Sequence, residues 1–307
     1  MQAKQREFCG CSDVQAMGAL ARAFRSDNLH VIDLPYRFSS WAMDEPANVG
    51  LWEDAEGQLV AWAIMQVPFG TIDYACHPHA GPELHRRILD WADRRAQETL
   101  GTLNGHPCWF VMVLAGHVGR IRDLEAAGFI CQADLGEDSW SQVLMARSAE
   151  TPIPAGKLPA GFTVRPLAGE SEVEAYVELH RAVFESRNMT PQWRARTLRC
   201  PEYVPDLDLV VVGPDGRLGA FCVCWLDRSA SEASAQIEPL GVCAELTKLG
   251  LGRAILAENL RRAHLFGARR VYVETDCYRN PALRLYESVG FRVLQHVLVY
   301  RKDYDGA

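Results

Sequence analysis

One arrangement of elements is written twice in this chain, and any fold must accommodate both copies. Residues 209–212 read as a strand, Gly213-Pro-Asp-Gly216 as a turn, and residues 218–226 as a second strand. Apolar runs on either side of such a turn make a β-hairpin. A matching hairpin stands about 160 residues earlier, with strands at 49–52 and 59–67 around a Glu-Asp-Ala-Glu-Gly turn at 53–57. Helical sequence precedes each hairpin, at 14–24 and 171–184. After each come a strand (70–76; 234–242), a helix (83–99; 252–266) and another strand (108–114; 270–275). Then follows a short helix ending in Gly-Phe (121–129; 282–291) and a closing strand (141–145; 293–300). The order α-β-β-β-α-β-α-β occurs twice, which predicts a tandem duplication of one α/β domain with a mixed, α+β type of sheet. Residues 149–161 hold three prolines and two glycines without helical periodicity. They place a linker at 149–160 between domains at 1–148 and 161–307.

Composition agrees with two folded domains. At 307 residues the chain suits two cores of about 150 residues each. It is 48% hydrophobic and 23% charged, an ordinary balance for a globular protein. The net charge of −7 lacks the basic excess of a nucleic-acid binder, so no nucleic-acid partner is expected. No apolar run reaches 18 residues and residues 1–13 show no leader pattern, so neither a membrane partner nor export is expected. Ten scattered cysteines read as reduced, mostly buried thiols of a cytoplasmic protein. Cys222 and Cys224 would share one face of a core strand, and neither they nor Cys9 and Cys11 have metal or redox spacing. No metal site is expected.

The region with most chemistry is Thr247-Lys-Leu-Gly-Leu-Gly252, between a strand and an amphipathic helix. The first helical turn carries amides without internal partners and the positive end of the helix dipole. Glycines at 250 and 252 let an anion approach those amides, and Lys248 and Arg253 add positive charge. Residues 248–253 therefore suit a diphosphate. A Gly-x-Gly pair alone is equally an ordinary tight helix start. The loop is neither a P-loop, since no Gly-Lys-Ser/Thr follows, nor a dinucleotide fingerprint, since the third glycine is missing.

A second motif lies about thirty residues further on: Asn280-Pro-Ala282-Leu-Arg-Leu-Tyr286-Glu-Ser-Val-Gly290-Phe291. Together with Leu240-Gly-Val242 and Thr247-x-x-Gly250-x-Gly252, it resembles the acetyl-CoA-binding core of the GNAT N-acetyltransferase superfamily. The two-domain layout resembles that of the mycothiol synthases within it. The resemblance implies acetyl-CoA as co-substrate and a primary amine of a small molecule or peptide as acceptor, in a monomer or homodimer. Backbone groups of Leu240, Gly241 and Val242 would pair with the pantetheine arm. The loop Thr247, Lys248, Leu249, Gly250, Leu251, Gly252 and Arg253 would hold the pyrophosphate, with Thr247 standing where the family usually has Arg or Gln. Asn280 would contact pantetheine; before Pro281 it also reads as a helix N-cap. Tyr286 would protonate the departing thiolate as general acid. An attacking amine must be neutral, and Glu238, a carboxylate within an apolar strand, is the candidate base or one end of a water relay; a structural ion pair is the alternative. Asp276 and Cys277 would line the acceptor pocket, and His180 reads as a packing residue.

The first half keeps the plan without the chemistry. Its loop, His77-Pro-His-Ala-Gly-Pro-Glu-Leu84, lacks Gly-x-Gly, and Pro82 removes an amide at the helix start. Leu124 stands where Tyr286 does. His77 and His79 lack further ligands at metal spacing and read as a loop pair. Residues 1–148 are thus expected to be a degenerate, non-catalytic copy, giving one CoA site per chain. A non-catalytic acyl-CoA sensor and a transferase for longer acyl groups are the rival readings.

Overall fold

The computed structural model describes residues 3–133, 135 and 141–304. They divide into two compact units whose boundaries differ from the expected linker. Unit 1 comprises Met1–Gln142, Asp276–Tyr278 and Gln295–Ala307; unit 2 comprises Val143–Thr275 and Arg279–Leu294.

Unit 1 contains β1 (Lys4–Arg6), α1 (Cys11–Ala23), α2 (Leu34–Phe38), β2 (Val49–Glu53), β3 (Leu59–Gln66), β4 (Thr71–Cys76), α3 (Pro82–Thr99), β5 (Cys108–Leu114), α4 (Val118–Ala126) and β6 (Ile130–Cys131). Strand β3 is almost wholly buried because both faces are covered. Trp62 and Ile64 pack with Met17, Leu20 and Ala21 of α1. Ala61, Ala63 and Met65 share the opposite core with Ile88, Leu89 and Ala92 of α3. That two-residue alternation is what one apolar strand between two helical layers requires.

Unit 2 takes β7 (Ser141–Ser148) from Val143 onward, then β8 (Thr163–Pro166), α5 (Val173–Phe184), α6 (Pro191–Leu198), β9 (Asp208–Val212), β10 (Leu218–Asp227), β11 (Ser234–Val242), α7 (Leu251–Leu265), β12 (Arg270–Asp276) and α8 (Asn280–Ser288). The last strand, β13 (Arg292–Asp303), enters unit 1 from Gln295. On β10, Phe221 meets the α5 rings of Tyr176, His180 and Phe184. Its neighbour Cys222 accepts from Asn259 of α7 at 2.8 Å through its carbonyl. Cys222 and Cys224 are buried core residues, as expected.

The duplicated element order is present, but the two closing strands are exchanged. In unit 1 the sheet order is β1-β2-β3-β4-β5-β13, with β6 also on β13. In unit 2 it is β7-β12-β11-β10-β9-β8. Strand β13 runs antiparallel to β5 from Val297↔Leu114 to Asp303↔Cys108. Each half of the sequence therefore supplies the strand that completes the other half's sheet. Periodicity predicts a strand and its faces, not its partner.

The proline- and glycine-rich connection is packed onto unit 2. Ala149 N–H donates to Arg269 O at 2.8 Å. Arg147 Nη2 donates to Thr151 O at 2.6 Å. A Cβ on Gly156 would lie 2.5 Å from Ala254 Cα in the first turn of α7, so only glycine fits there.

Candidate active site

The site grows from one irregularity in β11. Its antiparallel register with β10 jumps from Cys222↔Leu240 to Cys224↔Ile237, so Glu238 and Pro239 form a bulge. Pro239 has no amide to donate, which is why a mid-strand proline belongs at such a place. The Glu238–Pro239 peptide is cis. Parallel pairing with β12 runs from Ser234↔Arg270 to Ile237↔Val273 and stops there. Beyond the bulge, Leu240–Val242 continues along β10 only, reaching Ala220↔Val242. The backbone edge toward β12 is thus outside the ladder at the three positions the motif singled out.

Gly241 has a packing reason to be glycine. A Cβ there would lie 2.5 Å from Phe221 Cζ and 2.6 Å from Val183 Cγ1. The turn that follows explains Thr247: its hydroxyl donates to Ala244 O at 2.9 Å and closes the 244–246 turn. Lys248 and Gly250 both take left-handed backbone, φ 66° and 83°. For Lys248 this is an uncommon conformation, of the kind that collects at ligand-holding loops. Residues 247–250 are exposed.

Helix α7 starts at Leu251, and its first backbone bond runs from Ala254 N–H to Gly250 O at 3.0 Å. The amides of Leu251, Gly252 and Arg253 therefore have no partner within the helix. A Cβ on Gly252 would lie 3.2 Å from Val242 Cγ2 and 3.4 Å from Leu285 Cδ2. Gly252 is where the end of β11, the start of α7 and the face of α8 converge.

Tyr286 on α8 is 6% exposed and lies edge-on to Phe291, centroids 5.8 Å apart. Burial pushes its phenol well above the ordinary value; the nearby Cys222 and Glu238 add to this and Arg279 opposes it. The hydroxyl therefore stays protonated at neutral pH. Glu238 is half-buried, and its carbonyl accepts from Trp225 Nε1 at 2.8 Å. Asn280 is the first residue of α8 and is exposed; the cap position falls on Arg279, and no side chain caps the helix. The N-cap reading of Asn280 is corrected by one residue, which leaves its amide side chain out of the cap.

Asp276 and Cys277 group with unit 1, where Asp276 Oδ1 accepts from Gln142 Nε2 at 2.9 Å and Cys277 N–H donates to Ser141 O at 2.8 Å. His180 is a packing residue: its ring is stacked on Phe221 at 5.6 Å, and burial lowers its pKa to about 3.

In the corresponding region of unit 1 the polar side chains are engaged with one another. Counting back from the strand ends, and allowing for the bulge, Asp73 of β4 stands where Glu238 stands in β11. Arg37 of α2 grips it through Nε at 2.6 Å and Nη2 at 2.8 Å. The register of β4 with β5 holds only Thr71↔Phe110. Beside it the guanidinium of Arg120 covers the Tyr74 ring at 5.2 Å and donates to Asn28 Oδ1 at 3.2 Å. Helix α3 begins with Pro82, and Leu124 is fully buried. His77 Nδ1 accepts from the His79 amide at 3.1 Å while its ring packs edge-on to Phe24. Among the described residues no group of three or more His, Cys, Asp or Glu converges on one point.

The profile of the acetyltransferase (GNAT) family matches residues 173–291, from the start of α5 to the Gly-Phe after α8. The chain is 29% identical over 160 residues to a mycothiol acetyltransferase of Arthrobacter sp. (strain FB24), covering 50% of this chain and 48% of that one. It is 26% identical over 262 residues to a mycothiol acetyltransferase of Pseudarthrobacter chlorophenolicus, covering 82% and 75%. In the first of these alignments the chain spans about half the length of the curated relatives it matches. Among solved structures, a GCN5-related N-acetyltransferase from Sphaerobacter thermophilus superposes with a TM-score of 0.67 at 19% identity, covering 99% of this chain and 97% of the other. A tandem GNAT protein from the clavulanic acid biosynthesis pathway superposes with a TM-score of 0.66 at 15% identity over the whole of both chains. At such identities the two likenesses concern the fold, which is that of tandem GNAT proteins.

Proposed function

We propose, from the membership of residues 173–291 in the acetyltransferase (GNAT) family, that this chain transfers an acetyl group from acetyl-CoA to a primary amine of a small molecule or peptide. The observation that carries the reading is the convergence, within unit 2, of three features. These are the exposed 247–250 loop leading into the start of α7, the off-ladder edge of β11, and the buried phenol of Tyr286 near Glu238.

The amides of Leu249 to Arg253, with Lys248 and Arg253 beside them, hold the pyrophosphate. Leu240 to Val242 pair with the amides of pantetheine as an added strand would. Thr247 acts by shaping the turn. Asn280, exposed at the start of α8, reaches the pantetheine arm. The neutral amine attacks the thioester carbonyl carbon, the C–N bond forms and the C–S bond breaks. Glu238, directly or through water, takes the proton that the amine loses. Tyr286 donates to the sulfur. Its raised pKa keeps it protonated but makes it a weak acid, so it first supplies a hydrogen bond and gives up the proton only as thiolate charge develops.

Residues 1–148 supply no second donor site: Arg37 occupies the carboxylate that corresponds to Glu238, Leu124 stands in place of a phenol, and Pro82 interrupts the amides. The chain therefore takes one acetyl-CoA.

Thiol release from acetyl-CoA against a panel of amines tests the reading, with a mycothiol-type acceptor included because the relatives carry that name. Tyr286→Phe should lower kcat by about 10²–10⁴-fold. CoA binding without thiol release on any amine would instead identify a sensor.

A further inference from the structure

The acetyl-transfer reading leaves one buried phenol of unit 2 without a task. Tyr176, on the inner face of α5, is fully buried. Its ring is clamped, with the guanidinium carbon of Arg194 3.7 Å from the ring centroid and the Phe221 ring 5.1 Å away. His180, one turn along α5, lies 6.1 Å off. The phenol thus has one position, yet its hydroxyl has no hydrogen-bond partner among the described residues. Leaving a fixed, buried hydroxyl unpaired is costly, and a water or a ligand atom is the usual partner for such a group.

Its surroundings indicate which partner. Phe221, on which Tyr176 rests, lies opposite Gly241 in the β10–β11 ladder, three residues beyond Glu238. The absence of a Cβ at Gly241 allows that contact. The groups that act electrostatically on the Tyr176 hydroxyl are Arg194, Asp208, Glu238 and Cys222, and burial raises its pKa, so it is a donor at neutral pH. Arg194 is committed to Asp208, which also accepts from Tyr203 at 2.7 Å. Glu238 acts on both Tyr176 from α5 and Tyr286 from α8. The charge of the Glu238 carboxylate is therefore felt at two phenols, of which the proposed chemistry uses one.

We propose that Tyr176 is a positioning residue for acetyl transfer: its hydroxyl fixes the water through which Glu238 takes the acceptor's proton. The amine nitrogen bonds to the carbonyl carbon and loses a proton to that water. The water passes a proton to the Glu238 carboxylate. The C–S bond breaks and the thiolate sulfur takes the Tyr286 proton. Return of the proton from Glu238 to the Tyr286 phenolate through solvent restores both side chains, so the net change is amine plus thioester to amide plus thiol.

This inference rests on the acetyl-transfer reading, and the experiment separates the two. Tyr176→Phe keeps the ring between Arg194 and Phe221 and removes only the oxygen. It should lower kcat about tenfold or more, as loss of proton-transfer assistance does, while KM for acetyl-CoA stays unchanged. The melting temperature should hold or rise, because no internal hydrogen bond is lost. A purely structural tyrosine would give the same melting behaviour without the fall in kcat. Combined with Glu238→Gln, the substitution should cost little further rate, because both act on one relay. Unaltered kcat in Tyr176→Phe, or multiplicative losses in the double variant, overturns the proposal. Absence of transfer by the unaltered chain with every amine overturns the acetyl-transfer reading itself.

Discussion

Removing residues 295–307 should unfold unit 1, to which most of the C-terminal half does not belong. Within that segment Val297, Val299, Tyr300 and Tyr304 are 0%, 6%, 2% and 6% exposed, and all belong to unit 1. Full burial of such side chains stabilises by about 1.5–3 kcal/mol each, so the four contribute roughly 6–12 kcal/mol. A compact unfolded state reduces that by roughly 10–40%. The deletion also removes seven registered pairs with β5. It further takes away the bonds of Lys302 and Tyr304 to Asp93. A domain's whole stability is about 5–15 kcal/mol, so the loss is of the same size. Hydrogen–deuterium exchange read by mass spectrometry locates the damage. Peptides from β3, β5 and α3 should lose protection first, although the deletion lies about 180 residues or more beyond them in sequence. Loss of protection confined to α7 and α8, with β3 and β5 still protected, would refute the exchanged-strand reasoning.

Three further outcomes follow from individual sites. Gly252→Val forces atoms against Val242 and Leu285 and screens the first-turn amides, so calorimetry should show CoA affinity falling by tenfold or more, at an overpacking cost of about 1–3 kcal/mol. His180 is held neutral down to about pH 3 in the folded state, whereas the unfolded chain protonates it near its ordinary value of 6.5. Between those limits the unfolded state binds more protons, so stability falls as pH drops from 6.5 toward 3, by up to about 1.4 kcal/mol per pH unit; melting temperatures of His180→Phe should depend less on pH across that window. Arg37→Met strands the buried Asp73 carboxylate and should cost about 3–5 kcal/mol by urea denaturation, with Asp73→Leu in the same chain restoring much of it.

Much of the plan can be read without coordinates because its elements carry local signals. The hairpin turns, the stripe of α7 and the two Gly-Phe helix ends depend on neighbours a few residues away. Helices α2 and α6 escape notice because 5 and 8 residues hold too few turns to show a period. Strands β1 and β8, at 3 and 4 residues, are equally silent. The bulge was available in Pro239, whose position inside an apolar strand is its signature. Asp73 gave no sign of being the counterpart of Glu238, because its partner Arg37 is 36 residues away and on another element. Tyr176 was hidden for a different reason: in a periodic helix it reads as core, and only the unpaired hydroxyl sets it apart. The connection at 149–161 has a linker's composition, but Gly156 serves a close backbone contact that no local rule foretells.

The exchanged strands bear on how such a gene can change. A break at the Pro- and Gly-rich connection would release two polypeptides, each carrying a strand that the other needs and lacking one of its own. Neither product is a free-standing module, so shedding the half without the phenol and the amide loop also strips the sheet edge of the half that has them. Duplicated sequence ordinarily leaves one copy free to be lost. Here the copy without the glycine pair and the phenol is retained as a structural creditor of the one that has them.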